Sequence, residues 1–335
     1  MTIQESLVLA EKVLVATGFS RESRETEILD LENPDFVCAT MLQQFPEDTW
    51  SATGGLIRQK PMICGGRFRF TRFEKRLSQA CYTLQEDGSW KEDGATLSKG
   101  RMWYGSGSVV LNNELVIARG WDLNSFSKSI EVVGGRKTKA RTLDNIELPI
   151  ETFNSCIVPW NADTFMVIGG NPYKYGGGDL PPKSQKRTYF VDIKKKTVTN
   201  GPDLNNARYR HGCSEMIVDG EEFIVVTGGH GPKESVHKST EYLSKASFKT
   251  DGWQEGTDLP VHISDHQMVT SPDKQFVYTI GNDFTAYDKE IYKYTCQNND
   301  IKQCIWTKSK TKLKYGRRYL VAFGIPNSWA KNICE

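Results

Sequence analysis

Short apolar runs that end at glycine alternate with polar loops along the whole chain. The pattern is clearest at residues 223–226, where Phe-Ile-Val-Val is followed by threonine and a Gly-Gly pair. A polar loop leads from this run to a short β-forming segment at 239–243, and a further segment begins at Trp253. An apolar stretch that ends at Val218 precedes the unit. Because short apolar runs bounded by glycine and polar residues are typical of β-strands, residues 211–260 predict one four-stranded antiparallel sheet.

The same apolar run with its glycine returns at intervals of roughly fifty residues, which is the signature of a repeat architecture. The six copies are VLVATGF (13–19), PMICGG (61–66), LVIARGW (115–121), FMVIGG (165–170), FIVVTGG (223–229) and FVYTIGN (276–282). Glycine is needed at such corners because the backbone turns tightly against a neighbouring sheet, where a Cβ would clash. Six copies of a four-stranded unit predict an all-β fold, a six-bladed β-propeller.

The two ends of the chain are expected to share one blade. The N-terminal copy at 13–19 has the pattern of a second strand, whereas residues 317–323 have the pattern of a first strand with no blade after it. A closing C-terminal strand would complete the first blade and remove an open sheet edge. Residues 1–335 are then one propeller domain, with blades at approximately 13–46 plus 317–327, 54–97, 103–149, 153–205, 211–260 and 265–313.

The glycine pairs, together with the tryptophans expected in fourth strands (Trp90, Trp253 and Trp306), resemble the kelch β-propeller family over nearly the whole chain. Kelch propellers commonly close their ring with a C-terminal strand, as the resemblance implies here. The CGG…CY hairpin and the I-P…C ending are similar to those of secreted arthropod-type kelch proteins. Three corners depart from the glycine rule, at Phe19, Trp121 and Asn282, and their larger side chains are expected to reach the face of the disc.

Four cysteines are placed in pairs by the predicted hairpins. Cys64 ends one strand and Cys81 begins the returning strand, so the two face each other at a separation that a disulfide spans. Cys296 and Cys304 flank the loop QNNDIKQ in the same way. Disulfides predict an extracellular, secreted protein whose signal peptide is missing before the starting Met. The alternative is that the cysteines are buried and reduced, in a cytoplasmic protein.

The other four cysteines depend on the ring. Cys334 lies just beyond the closing strand and Cys38 lies in the blade that this strand completes, so we expect them to pair. Cys156 and Cys213 occupy equivalent positions in the first strands of consecutive blades. They either bond to each other across the channel wall or are only small buried residues.

Charge and hydropathy exclude several classes of partner. The formal net charge of +2 is too small to predict binding to nucleic acid, and there is no run of eighteen apolar residues that would cross a membrane. One segment, residues 65–76, interleaves arginines with phenylalanines, but no second basic track accompanies it. We expect a monomer without a nucleic-acid or membrane partner.

Residues that follow each glycine pair, and those that precede each first strand, are expected to converge on one face of the disc. Arginine and aromatic side chains predominate there, which is the composition of protein-binding hot spots. Arginine before a first strand recurs in kelch blades and often pairs internally, so Arg101 and Arg210 also have a structural interpretation. The binding face is expected to contain Arg101, Trp103, Trp121, Tyr209, Arg210, His211, His230, His266, Arg318 and Tyr319.

Catalytic signals are weak. His211, His230 and His266 share the face with Asp265, but their spacing matches no zinc motif, so we expect no metal and no other cofactor. No nucleophile elbow, phosphate loop or paired-carboxylate spacing is present. The motifs of copper radical oxidases and of iron-dependent specifier proteins, which share the kelch fold, cannot be matched to this chain either.

Three functions therefore remain as hypotheses. The first is an extracellular kelch-propeller binding module that recognises an unknown protein or glycan partner through its loop-bearing face. The second is a small-molecule or metal-dependent enzyme that uses the channel mouth. The third is a cytosolic kelch scaffold or adaptor. A propeller hosts unrelated functions, so the fold alone cannot choose among them.

Overall fold

Six antiparallel sheets surround a central channel in the computed structural model. It describes residues 12–38, 42–68, 77–102, 107–118, 120, 129–134, 140–149, 152–172, 184–282 and 288–334. Within these residues five sheets have four strands and one has three. The inner strand of every sheet lines the channel. The protein is thus a six-bladed β-propeller, as the repeat predicts.

The strands of each blade follow one another from the channel outward in chain order, except in blade 1. The bounds are Val321–Ile325, Lys12–Ala16 and Glu27–Asp30 in blade 1; Thr53–Ile57, Lys60–Cys64, Ala80–Leu84 and Trp90–Thr96 in blade 2; Ser108–Leu111, Glu114–Ala118, Ile130–Gly134 and Arg141–Thr142 in blade 3; Cys156–Pro159, Thr164–Ile168, Thr188–Asp192 and Thr197–Asn200 in blade 4; Gly212–Val218, Glu221–Thr227, Thr240–Ser244 and Gln254–Gly256 in blade 5; and Gln267–Thr270, Val277–Ile280, Glu290–Cys296 and Cys304–Lys312 in blade 6.

Short elements complete the described chain. Two two-stranded ladders pair Thr49–Trp50 with Arg67–Phe68 and Thr152–Phe153 with Asn171–Pro172. The helical elements are the 3₁₀ turns Pro232–Glu234 and Ile301–Gln303 and the α-helix Asn327–Cys334. No helix among the described residues has the length and apolar character needed to cross a membrane.

The C-terminal strand closes the ring. Val321–Ile325 pairs with Lys12–Ala16 over five residues and becomes the inner strand of blade 1. The helix Asn327–Cys334 follows it and buries Trp329 and Ile333 in a cluster with residues of blades 1 and 2. This pairing confirms the expected closure, and it leaves the inner circle of strands without an open edge.

Tryptophans of the outer strands connect neighbouring blades. Each is buried and donates its indole N–H to the preceding blade: Trp90 to Thr26, Trp253 to the Pro202 carbonyl and Trp306 to Thr240, at 2.9–3.0 Å. A buried indole combines a large apolar surface with one satisfied polar atom. The side chain therefore acts as a wedge that fixes the spacing of adjacent sheets.

All eight cysteines form four pairs at bonding distance. Cys64 with Cys81 and Cys296 with Cys304 lie opposite each other in antiparallel register, as the hairpins predict. The Cys156–Cys213 pair joins the first strands of blades 4 and 5, so bonding across the channel wall is the alternative that the structure adopts. Cys38–Cys334 ties the C-terminal helix to blade 1 across 296 residues of sequence.

Candidate functional site at the channel mouth

Five residues form a ring where the first strands begin. They are Ser51, Asn154, Arg210, Asp265 and Tyr319, and they are called the mouth ring below. Each stands two residues before the first strand of its blade, and each has a positive φ, between 53° and 59°. The corresponding segment of blade 3, residues 103–106, lies outside the described residues.

Backbone hydrogen bonds link the mouth ring from blade to blade. Arg210 donates its N–H to the Asn154 carbonyl, Asp265 to Arg210, Tyr319 to Asp265 and Ser51 to Tyr319, at 2.8–3.1 Å. The left-handed backbone suits asparagine and aspartate, but it strains serine, arginine and tyrosine. Strained residues persist where the surrounding structure over-determines them, and they cluster at functional sites. The chain of hydrogen bonds supplies that constraint here.

Two neutral side chains of the mouth ring are buried without hydrogen-bond partners. Asn154 is 5% exposed, and neither its amide nitrogen nor its amide oxygen has a partner. The Ser51 hydroxyl is also buried and has no hydrogen-bond partner. Because buried polar atoms are nearly always hydrogen-bonded in native proteins, unused donors at a channel mouth are candidate contacts for a ligand or for ordered water.

Asp265 is the acidic member of the mouth ring. It is 1% exposed, and its Oδ2 lies 3.6 Å from Nη1 of Arg210. Burial raises the pKa of its carboxyl to about 7, although Arg210, Arg318, Ser264 and Tyr319 act in the opposite direction. The carboxyl group therefore changes its charge close to neutral pH.

Arginines and aromatic rings surround the mouth ring. Five of them, Phe19, Trp50, Arg67, Tyr209 and Arg318, are called the rim cluster below. Arg67 lies over Trp50 at 5.4 Å, and Arg318 lies over Phe19 at 4.8 Å. Trp50 also packs edge-on against Phe19, with ring centroids 5.7 Å apart. The stacked rings hold the guanidinium groups in fixed positions.

The rim cluster and the mouth ring form one surface. The ring of Tyr319 lies 5.2 Å from Trp50 and 5.1 Å from the Arg318 guanidinium. Arg210 lies 5.8 Å from both the Tyr209 and the Tyr319 rings, and its Nη1 donates to the Tyr319 hydroxyl at 3.4 Å. Two of the guanidinium groups, those of Arg210 and Arg318, thus act on the buried carboxyl group of Asp265.

A second set of arginines is buried in ion pairs within every other blade. Each ends a recurring Leu-x-x-x-Arg pattern, and Arg208 and Arg317 stand two residues before the mouth-ring residues Arg210 and Tyr319. The pairs are Arg101–Glu131, Arg208–Glu241 and Arg317–Glu27, each with a nitrogen–oxygen distance of 2.6 Å. Arg101 is 4% exposed, so its side chain belongs to the interior rather than to the binding surface.

The histidines of the expected face pack against neighbouring residues. His211 and His266 are fully buried, and burial lowers the pKa of both, that of His266 to about 3. A Cβ on Gly229 would lie 2.6 Å from His211, which shows how closely that ring packs. His230 stacks on Tyr209 at 5.1 Å. Among the described residues no three histidine, cysteine or acidic side chains are arranged to hold a metal ion.

The structure thus brings together five of the expected face residues: Tyr209, Arg210, His230, Arg318 and Tyr319. It places Arg101, His211 and His266 inside the protein, and Trp103 and Trp121 lie outside the described residues. Trp50, Ser51 and Asn154 were not expected at this site. Their position in the sequence could have identified them, because each lies two or three residues before a first strand.

The channel below the mouth is nearly free of charge. It has a volume of about 260 Å³ and is lined by the inner strands of all six blades. Glu215 is the one charged residue among the described residues that line it, and it is ion-paired with Lys245 and Lys274. A charged group that enters from the mouth would therefore find its partners in the mouth ring and not deeper in the channel.

Comparison with known proteins supports the fold. No family model matches the chain. No curated protein sequence matches it either. Among 451 matching chains of solved structures, one described as "Structure of YjhT" aligns with a TM-score of 0.69 and 13% sequence identity. The alignment covers 91% of this chain and 99% of the other. At that identity the likeness extends to the propeller fold alone.

Proposed function

We propose that this protein is an extracellular, monomeric kelch-type propeller that binds a protein or glycan partner through the face formed by the rim cluster and the mouth ring. The observation that carries the proposal is the packing of Arg67, Arg210 and Arg318 against the rings of Trp50 and Tyr319 and their neighbours. Arginine and aromatic residues are enriched among the residues that contribute most to binding energy.

Preorganisation favours binding at this surface. A long side chain that becomes ordered on binding costs about 0.5–1.5 kcal/mol of conformational freedom. Arg318 is already held between Phe19 and Tyr319, and Arg67 already lies over Trp50. The conformational entropy of these arginine side chains is therefore already lost when the protein folds. Binding of a partner does not have to order them again.

The cysteine pairs favour the extracellular location. Four disulfides persist in oxidising compartments and are rare in the cytosol of mesophiles. This supports secretion over a cytosolic adaptor. The enzyme hypothesis relied on His211, His230 and His266, and two of these are neutral packing residues.

The test compares the rim with the opposite face. The oxidised full-length protein is immobilised, extracellular fluid of the source tissue is passed over it, and captured proteins and glycans are identified and titrated. The variants Arg67→Glu and Arg318→Gln should each weaken capture about 30-fold or more, because a hot-spot residue contributes about 2 kcal/mol or more. Arg58→Glu is the matched control, since Arg58 is exposed in the turn between the first and second strands, on the other face.

Thermal unfolding of each variant shows whether the ring is intact. If both rim variants fold normally and retain the affinity of the wild-type protein, the rim cluster is not the binding face and the proposal is wrong.

A further inference from the structure

The donors at the channel mouth are complementary to a small anion. Asn154 and Ser51 present an amide and a hydroxyl that have no partner within the protein. In the ring of hydrogen bonds Arg210 lies next to Asn154, and Ser51 is the last member, beyond Asp265 and Tyr319. The side chain of Arg210 is one-quarter exposed. A guanidinium group in a ring that also carries neutral donors matches the oxygens of a carboxylate or a sulfate, since charge-assisted hydrogen bonds to such groups are short and strong.

We propose that the mouth ring is an oxyanion subsite that receives one carboxylate or sulfate group of the bound partner, with Arg210 as the cationic donor and Asn154 and Ser51 as neutral donors. The subsite deepens the proposed function and rests on it, because the rest of the partner would contact the rim cluster. The nearly uncharged channel beneath explains why the anion stops at the mouth.

Asp265 makes this subsite sensitive to protons. Its carboxylate competes with an incoming anion for Arg210, at 3.6 Å, whereas its protonated form does not. The other charged or titratable groups that act on it are Arg318 and Tyr319, and Ser264 is its polar neighbour. His266, the next residue, stays neutral because burial lowers its pKa to about 3. Anion binding should therefore be accompanied by uptake of a proton at Asp265.

The direction and size of the effect follow from the competition. With a pKa of about 7, Asp265 is mostly protonated at pH 6 and mostly ionised at pH 8. If only the protonated form admits the anion, the apparent affinity is about tenfold higher at pH 6 than at pH 8. By linkage, the bound anion raises the pKa of Asp265 further.

The ring provides its own matched variants. Asp265→Asn keeps the side-chain shape and places at this position the residue that blade 4 already has at Asn154. Asn154→Asp is the reciprocal change and places a second carboxylate in the ring. Both residues are compatible with the left-handed backbone, so neither exchange should unfold the protein.

The probes are acetate and inorganic sulfate, titrated separately into the oxidised full-length protein at pH 6 and pH 8 and followed by calorimetry or protein NMR. Saturable binding of acetate alone identifies a carboxylate site, and binding of sulfate identifies a sulfate site. Either result supports the subsite if Arg210→Gln lowers the affinity for that anion at least tenfold. Asp265→Asn should bind equally at the two pH values, and Asn154→Asp should bind more weakly than the wild-type protein at both.

Three results would overturn the proposal: no saturable binding of either anion, binding unaffected by Arg210→Gln, or a pH dependence that persists in Asp265→Asn. The first two leave the proposed function intact if partner capture still depends on Arg67 and Arg318. If partner capture does not depend on Arg67 and Arg318 but the anion still binds, the proposed function is wrong and the subsite stands.

Discussion

Neutralising Glu241 should destabilise the protein more than any surface charge substitution. Arg208 and Glu241 are both fully buried, with Nη2 and Oε1 2.6 Å apart. Glu241 also accepts the backbone N–H groups of Asn205 and Asn206, at 2.6 and 3.0 Å. In Glu241→Gln the Arg208 guanidinium remains charged in the interior without its ion-pair partner, and only the weaker attraction of Asp258 is left. Breaking a buried pair from one side costs about 3–5 kcal/mol.

This loss is measurable by heat or by urea. An unfolding entropy of about 2.1 cal/mol/K per residue corresponds to about 0.7 kcal/mol/K for a chain of 335 residues. The expected decrease in Tm is therefore about 4–7 °C. Urea denaturation should show a lower midpoint at an unchanged slope, because the surface exposed on unfolding is the same.

The control is the exposed pair Lys194–Asp163, 3.8 Å apart, with Lys194 78% exposed. Lys194→Gln should change the free energy of unfolding by about 0–1 kcal/mol, since exposed ion pairs contribute little. A cost below about 1 kcal/mol for Glu241→Gln would refute the reasoning, because it would mean that the Arg208 charge finds other compensation.

Two further predictions concern packing and ring closure. Gly212→Ala should cost about 1–3 kcal/mol, because its Cβ would lie 2.5 Å from Nε2 of His266. A Cβ at Gly324 would meet no atom within 4 Å, so Gly324→Ala should leave the free energy of unfolding in urea unchanged or slightly raised. Equal losses of stability in Gly212→Ala and Gly324→Ala would contradict the packing argument. Replacing Cys38 and Cys334 with alanine should cost about 5 kcal/mol, against about 2–3 kcal/mol for the shortest disulfide loop. The two bridges close 296 and 8 residues of sequence, and the reverse order in urea titrations would contradict this account.

The sequence by itself determined the blades and the closure of the ring. Each strand is a short apolar run, and each corner is a glycine with little room for a Cβ, so both signals are local. The hairpin pairs of Cys64 and Cys296 were predictable for the same reason, because an antiparallel hairpin sets which residues face each other. Ring closure was predictable because residues 317–323 have the pattern of a first strand and no blade follows them.

Only the tertiary structure decided which arginines reach the channel mouth. Arg208 and Arg210 are two residues apart before the same first strand, yet one is buried in an ion pair and the other reaches the channel mouth. Arg210 itself has the left-handed backbone that turns the chain at the mouth, and no local pattern in the sequence reports that turn. Cys156 and Cys213 likewise required the actual spacing of two neighbouring blades.

The mouth ring is a product of the closed propeller. Its members come from five blades, and Asn154 meets Arg210 only because consecutive first strands start side by side. Sequence separation conceals such a site, since residues more than fifty positions apart carry no shared local signal. The apolar period and the glycines therefore specify the scaffold, whereas the juxtaposition of Asn154, Arg210 and Asp265 exists only after the ring has closed.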